Sequence, residues 1–581
     1  MHAFSLPWAI PRGIDGDCLM PEDLINRPEE PQYFPPEMIW SPAGWIPEFP
    51  GKPGDGPQVY CYTNKYSYAH GETVQLHASS TTRTFDVEVV RDGANPLTVF
   101  ARKNVTGRYS ETPRDCYQNG CNWPVLLEFD VDRFWKSGFY IVTVRTWDDK
   151  GNHWEREHFF VVRAPQSRRR PLVLMLTTDT MNAYNDWGGA NLYRGLPLGN
   201  HDPRQDIAAP WVSTQRPIAR GMVRVPPGHP REAHFGHPPP FWRTRIPAFE
   251  WARFYGYSRH FNDAFWATWE RPFVVWAEQA GYELDFITQQ DLDEDPDILT
   301  GHRCVITIGH DEYYSFKMRD NLDAFLDAGG NFARFAGNIW DSPLTHGNNG
   351  TTVARGASPD GSTPATFNTP INSTFGLSAT GYVRYGSTAP RSPGGYLIYN
   401  PQHWSLSGTD LYFGDLLGGV PVGIVSFEVD GLDSGQWQFE KARPVVTAEF
   451  PGIRDLEIIG MHPAVWGDED RWEGRTPIGT GVSMNPTGET DATDNVALGS
   501  AKQDDKFGRE GMCCMASYKR GKGEGFNAGT CEWVQGLIKR DWYVEKVTHN
   551  VLARLGGIDS LAEEPNVGAD RFPVGGSWHA Q

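Results

Sequence analysis

Between Cys304 and Asn338 the chain reads CVITIGHDEYYSFKMRDNLDAFLDAGGNFARFAGN, and no other stretch limits its fold so narrowly. Val305, Ile306, Thr307 and Ile308 form an apolar run rich in β-branched residues that ends at Gly309, and His310, Asp311, Glu312, Tyr313 and Tyr314 follow at once. This pattern predicts a strand whose end carries chemistry. After Ser315, the residues Met318, Leu322, Phe325 and Leu326 recur at helical spacing. Gly329-Gly330 stops that helix before a second apolar run, Asn331 to Ala336, delivers Asn338. The unit is strand, helix, strand. In open α/β sheets ligands sit beyond the carboxyl ends of the strands, so His310, Glu312 and Asn338 are expected to converge on one crevice.

The rest of the chain divides around this unit. Residues 1–57 are dense in proline and aromatics, as in PQYFPPEMIWSPAGWIPEFPGKPG. Such a segment is expected as an extended arm draped over another surface. From 58 to 165 short alternating runs such as TVQLHAS, FDVEVVRDG and GFYIVTVRTWDD predict an immunoglobulin-like β-sandwich. PLVLMLTTDT then begins a fully apolar strand of the parallel-sheet type. The expected fold class for 166–581 is therefore α/β, a mostly parallel sheet of the amidotransferase-like or Rossmann-like kind. A long aperiodic loop at 195–265 has the length of a lid or an oligomer contact, and a β-rich insertion is expected at about 345–500.

Composition narrows the functions. The 581 residues carry a formal net charge of −19 without a basic block of useful length, which argues against nucleic-acid binding. Met1 to Asp15 lacks the pattern of a signal peptide, and no apolar run approaches a membrane span. Eight scattered cysteines without paired CxxC motifs read as thiols in a reducing cytoplasm.

Candidate chemistry centres on His310, Asp311 and Glu312, which offer acid, base and metal-ligand groups. Acidic residues are also favoured in a helix's first turn, so the same cluster could merely cap the helix after Ser315. His229, His234 and His237 lie among prolines that forbid a zinc-protease helix. No GxSxG elbow is present, and Cys304 precedes its strand where a cysteine nucleophile would follow one. Hydrolysis without a protein nucleophile leaves water, which a metal activates best. The alternative is a non-enzymatic carbohydrate- or partner-binding protein whose aromatic, glycine-rich loops form the surface.

AYNDWGGANLY, ERPFVVWAEQAGYELDFITQQDL, VITIGHDEYYS with MRDNLDAFLDAGGNFARFAGN, and GFNAGTCEWVQGL resemble the large (β) subunit family of N,N-dimethylformamidase. The resemblance implies hydrolysis of a small N-substituted amide at a mononuclear iron, Fe(III), held by two tyrosines and a glutamate. It implies Glu312 as the glutamate ligand, His310 as the neighbouring catalytic histidine and Asn338 as the asparagine. Tyr184 matches one tyrosine ligand and Tyr257 is chosen for the other, with Tyr193 and Tyr255 as alternatives. It further implies an oligomer, with a small subunit as a partner. The family's large subunit has a lectin-like domain before the sandwich, where this chain has its proline-rich arm.

Overall fold

A computed structural model describes residues 48–193, 208–226, 229, 252, 255–258, 260–348, 350–356, 361–364, 366–379, 394–419, 421–425, 428–433, 435–462 and 511–559. The arm expected at 1–57 thus lies almost wholly outside the described residues, as does 463–510 of the expected insertion. The first strands belong to a sandwich. Val59–Thr63, Thr73–Ser80 and Val125–Asp130 form one sheet. Ser67–Tyr68, Thr84–Arg91, Leu97–Thr106, Gly138–Trp147 and His153–Val162 form the other. Their alternate residues, including Val74, Leu76, Val87, Val142 and Phe160, close a common apolar core.

The second unit is built on a ten-stranded sheet. Its strands are β1 (Leu172–Leu176), β2 (Asp285–Thr288), β3 (Cys304–His310), β4 (Asn331–Gly337), β5 (Tyr396–Ile398), β6 (Leu416–Leu417), β7 (Gly431–Asp433), β8 (Ile453–His462), β9 (Gly511–Arg520) and β10 (Gly523–Asn527). They lie in the order β2-β1-β3-β4-β10-β9-β8-β5-β6, with β7 also on β9. The expectation of a mostly parallel sheet is corrected here. Pairing is parallel from β2 to β10 and antiparallel throughout the remainder, so the sheet is mixed, and strand outweighs helix in the chain. The reason is local. Only Gly521 and Lys522 separate β9 from β10, and a link that short makes a hairpin, never a parallel crossover. The strands after 394 consequently extend the central sheet from β10 outward.

Helices α1 (Thr178–Tyr184), α2 (Glu270–Gln279), α3 (Gln289–Glu294), α4 (Phe316–Ala328), α5 (Trp533–Ile538) and α6 (Trp542–Gly556) complete the unit. Successive residues of a strand face opposite sides, and the core follows that rule. Leu172, Leu174, Leu176, Ile306 and Ile308 pack with α2, α5, α6 and the sandwich, whereas Val173, Met175 and Val305 pack with α3 and α4. The Ser315 hydroxyl accepts from the Met318 N–H to cap α4, and Gly329 ends it with a left-handed φ of 112°.

β1 and β3 are neighbours, yet the chain leaves β1 for β2 on one side and β3 for β4 on the other. The carboxyl ends of β1 and β3 therefore flank a topological switch point, where such sheets form their crevice. Beside it, Gly309 has a φ of 76°, and a Cβ there would stand 2.3 Å from the Trp269 side chain. Gly309→Ala is expected to cost about 3 kcal/mol through overpacking and backbone strain. Chemical denaturation of the two proteins measures that difference.

Candidate active site

Three chain segments meet at the switch point. β3 and β4 pair in register from Cys304 opposite Asn331 to His310 opposite Gly337, so Asn338 emerges beside His310 although α4 separates them in sequence. Asn338 has a φ of 61°, a turn conformation that asparagine tolerates. The Ile339 N–H fixes that turn by donating to Asp430 at 2.8 Å. From β1, α1 brings in Thr180 and Tyr184, and the Thr180 hydroxyl accepts the Glu312 N–H at 3.0 Å.

His310, Glu312 and Asn338 are all buried in one cluster. The His310 Nδ1 donates to the Asp263 carbonyl, which can only accept, so Nε2 is the atom presented to the site. Nε2 stands 2.8 Å from Glu428 Oε2 and 3.3 Å from Glu312 Oε2. Asn338 Nδ2 donates to Glu428 at 2.8 Å and lies 3.1 Å from His310 Nε2. Burial alone would favour neutral imidazole. The Glu428 carboxylate, then Glu312, reverse this and hold the His310 pKa well above its ordinary range. Burial likewise disfavours ionised Glu312, but His310 outweighs it and keeps that carboxyl below its ordinary value.

Tyrosines close the other side. The Tyr193 hydroxyl donates to Glu312 Oε1 at 2.7 Å and also meets the Tyr313 hydroxyl. Tyr184 stacks on Tyr193 with ring centroids 4.6 Å apart and lies 5.3 Å from the His310 ring. Burial first, and Glu312 second, push all three phenols well above their ordinary pKa. The Arg355 guanidinium lies over the Tyr193 ring at 4.8 Å. Tyr257 lies instead against Phe261, with Arg220 over its ring at 4.1 Å, and the Tyr255 carbonyl accepts from Arg220. Of the tyrosines considered for the second position, Tyr193 thus stands on Glu312 through its hydroxyl. His229 packs near Phe261, while His234 and His237 lie outside the described residues.

The His310-Asp311-Glu312 cluster does not cap α4, since Ser315 does and its first turn contains no acidic residue. Asp311 turns away to Arg334, a buried guanidinium it shares with Asp430. Two residues of the site escaped the sequence reading. Glu428 stands with Asp430 in the otherwise apolar run VGIVSFEVDG, and that setting was its only signal. Arg216 donates to the carbonyls of Asn185, Trp187, Ala190 and Ser213 and so fixes the loop joining Tyr184 to Tyr193. Nothing local in its sequence announces that role.

Among the described residues no group of three or more His, Cys, Asp and Glu side chains is arranged to hold a metal ion. Any cation in this cluster would need the tyrosine oxygens as well. No helix among the described residues is long and apolar enough to cross a membrane.

A family model described as N,N-dimethylformamidase beta subunit-like, C-terminal, matches residues 86–546. The N,N-dimethylformamidase beta subunit of Alcaligenes sp is 25% identical over 232 residues, which are 39% of this chain and 28% of that subunit. The matched stretch thus spans under a third of the relative's length. Among solved structures, the sporulation control protein Spo0M of Bacillus subtilis is 16% identical, with a TM-score of 0.14 over 19% of this chain and 51% of its own. Murine CRIg is 16% identical, with a TM-score of 0.13 over 19% of this chain and 98% of its own. Likenesses this slight carry no argument.

Another histidine, its side chain largely covered, supports the cluster from behind. His346 Nε2 lies 3.0 Å from both Asp179 oxygens, one residue before Thr180 in α1, and its Nδ1 is 3.3 Å from Asp293 Oδ1 in α3. Burial opposes the charge, but Asp179 and then Asp293 raise the pKa to about 10. This folded value lies above the unfolded one of about 6.5, so the stabilisation is complete below pH 6.5 and is lost as pH rises through 10. Unfolding free energies measured from pH 6 to 10 are expected to fall more steeply for the native chain than for His346→Leu.

Proposed function

The chain belongs to the N,N-dimethylformamidase beta subunit-like family, and we propose that it hydrolyses a small N-substituted amide, of the dimethylformamide kind, to a carboxylic acid and an amine. The observation that carries this reading is the convergence of His310, Glu312, Glu428 and Asn338 with Tyr184 and Tyr193 at the switch point. The donor set suits a hard cation, and we take it to be a mononuclear iron, probed below by metal content. Glu312 Oε2 is buried and makes no well-formed hydrogen bond among the described residues, although His310 Nε2 stands 3.3 Å away, so a cation would add to the charge that faces it. Tyr184, Tyr193 and Glu312 would hold the ion through phenol and carboxylate oxygens. When bound, it would supply Lewis-acid polarisation of the amide carbonyl and a more acidic water.

The chain's own residues then have distinct tasks. His310, charged between two carboxylates, keeps a proton at Nε2, where it is available to the departing amine nitrogen. Glu428 accepts from His310 and Asn338 and so holds both in place, and it stabilises the charged imidazole that re-forms when His310 takes up the proton the attacking water gives up. Asn338 offers its amide group to the substrate carbonyl or the oxyanion that develops from it. The burial of the cluster excludes bulk water and strengthens these interactions. Association with a small subunit rests on the relative's name, which calls it a beta subunit.

The test is elemental analysis with an amine-release assay on N,N-dimethylformamide. About one iron per chain is expected, as a mononuclear site requires. Glu312→Gln is expected to lose the metal together with at least about 1,000-fold in kcat, whereas Glu428→Gln is expected to keep the metal and lose about 100-fold. An iron-loaded, fully active Glu312→Gln protein would defeat the reading.

A further inference from the structure

At the seam between the sandwich and the second unit lies an open cleft of about 430 Å³. Its walls come from four separate places in the chain: the sandwich strands carrying Tyr62 and His77, the segment 118–123, Ser213 to Gln215, and the turn and strand from Asn348 to Thr352. None of its lining residues belongs to the acid and tyrosine cluster. No carboxylate, ammonium or guanidinium lines it, although the chain as a whole carries a net charge of −19. The polar lining is dominated by carboxamides, from Gln118, Asn119, Asn122, Gln215 and Asn348.

This lining selects a ligand by elimination. A charged molecule would find no fixed counter-charge, and an apolar one would desolvate the carboxamides, of which Asn119 and Gln215 keep only their N–H groups bonded to protein among the described residues. A flat heterocycle would need an open aromatic face to stack on. The rings here offer little, since Tyr62 and Trp123 are each 2% exposed and Tyr62 is already stacked on His77 at 4.8 Å and 2°. Carboxamides both donate and accept, as hydroxyl groups do, so a neutral molecule with many hydroxyls matches them on both counts. The volume falls in the range of small-molecule sites and has room for about one or two pyranose rings.

We propose that this cleft binds a neutral saccharide, independently of the hydrolytic site. Gln118 and Asn348, which reach the cleft from different segments, are the groups expected to contact its hydroxyls. The experiment is ligand-observed NMR and calorimetric titration of the full chain with D-glucose, N-acetyl-D-glucosamine and maltose. At least one sugar is expected to bind with a dissociation constant of roughly 1 mM, as befits a small ligand in an open cleft. The double variant Gln118→Ala/Asn348→Ala should weaken that binding at least tenfold, with the melting temperature and the amine-release activity unchanged. The proposal is overturned if none of the sugars binds at about 20 mM, or if the double variant binds them as the native chain does.

Discussion

Seven residues of parallel pairing decide where chemistry can occur in this molecule. Cys304 lies opposite Asn331 and His310 opposite Gly337, and both strands end together at the crevice edge. A slip of one residue would turn His310 to the other face of the sheet. β3 and β4, covered on both sides, resist such a slip because their apolar residues are committed to one packing layer or the other and Arg334 of β4 is tied to Asp311 and Asp430. Gly309 adds a further restraint, since its left-handed φ and its closeness to Trp269 fix how the chain leaves β3.

The buried cluster is held from several directions at once. Tyr66 of the sandwich donates to Asn182 at 3.0 Å, in the helix that carries Tyr184, and Phe139 stacks on Trp266 at 3.9 Å. The sandwich therefore braces the site although it contributes none of the cluster's side chains. Arg216 gathers three carbonyls of the Tyr184 to Tyr193 region and that of Ser213, and Arg334 pairs with both Asp311 and Asp430 behind His310 and Asn338. Removing one partner of such a buried charge network costs several kcal/mol, about 3 to 5, because the remaining charges stay desolvated. The exactness of placement that acid and base groups need is in this way supplied by residues that never touch a substrate.

The strand, helix, strand unit was legible because its signals are local: β-branched runs, helical spacing and the glycine pair after α4. That legibility extended to the cluster, since parallel register alone places His310 and Asn338 side by side. The antiparallel half of the sheet was not legible in the same way. β5, β6 and β7 are two or three residues long, too short for periodicity to register, and β9 reads as a strand only beside β10. The choice of Tyr257 over Tyr193 was made without sight of a contact that only folding sets, the Tyr193 hydroxyl on Glu312. Arg216 holds the loop between Tyr184 and Tyr193 through bonds across 26 to 31 residues, which no spacing encodes. Glu428 stayed hidden for a similar reason, as it comes from the part of the chain that was expected to form an insertion.

The account depends on tyrosine and carboxylate oxygens gathering at the sheet's edge around one cation. An anomalous-scattering map at the iron edge from crystals of the purified protein tests this most directly. The account predicts a single strong peak among the Tyr184 and Tyr193 hydroxyls and Glu312 Oε2, and not at Tyr257. A map with no peak there, or with its peak at Tyr257, would contradict it.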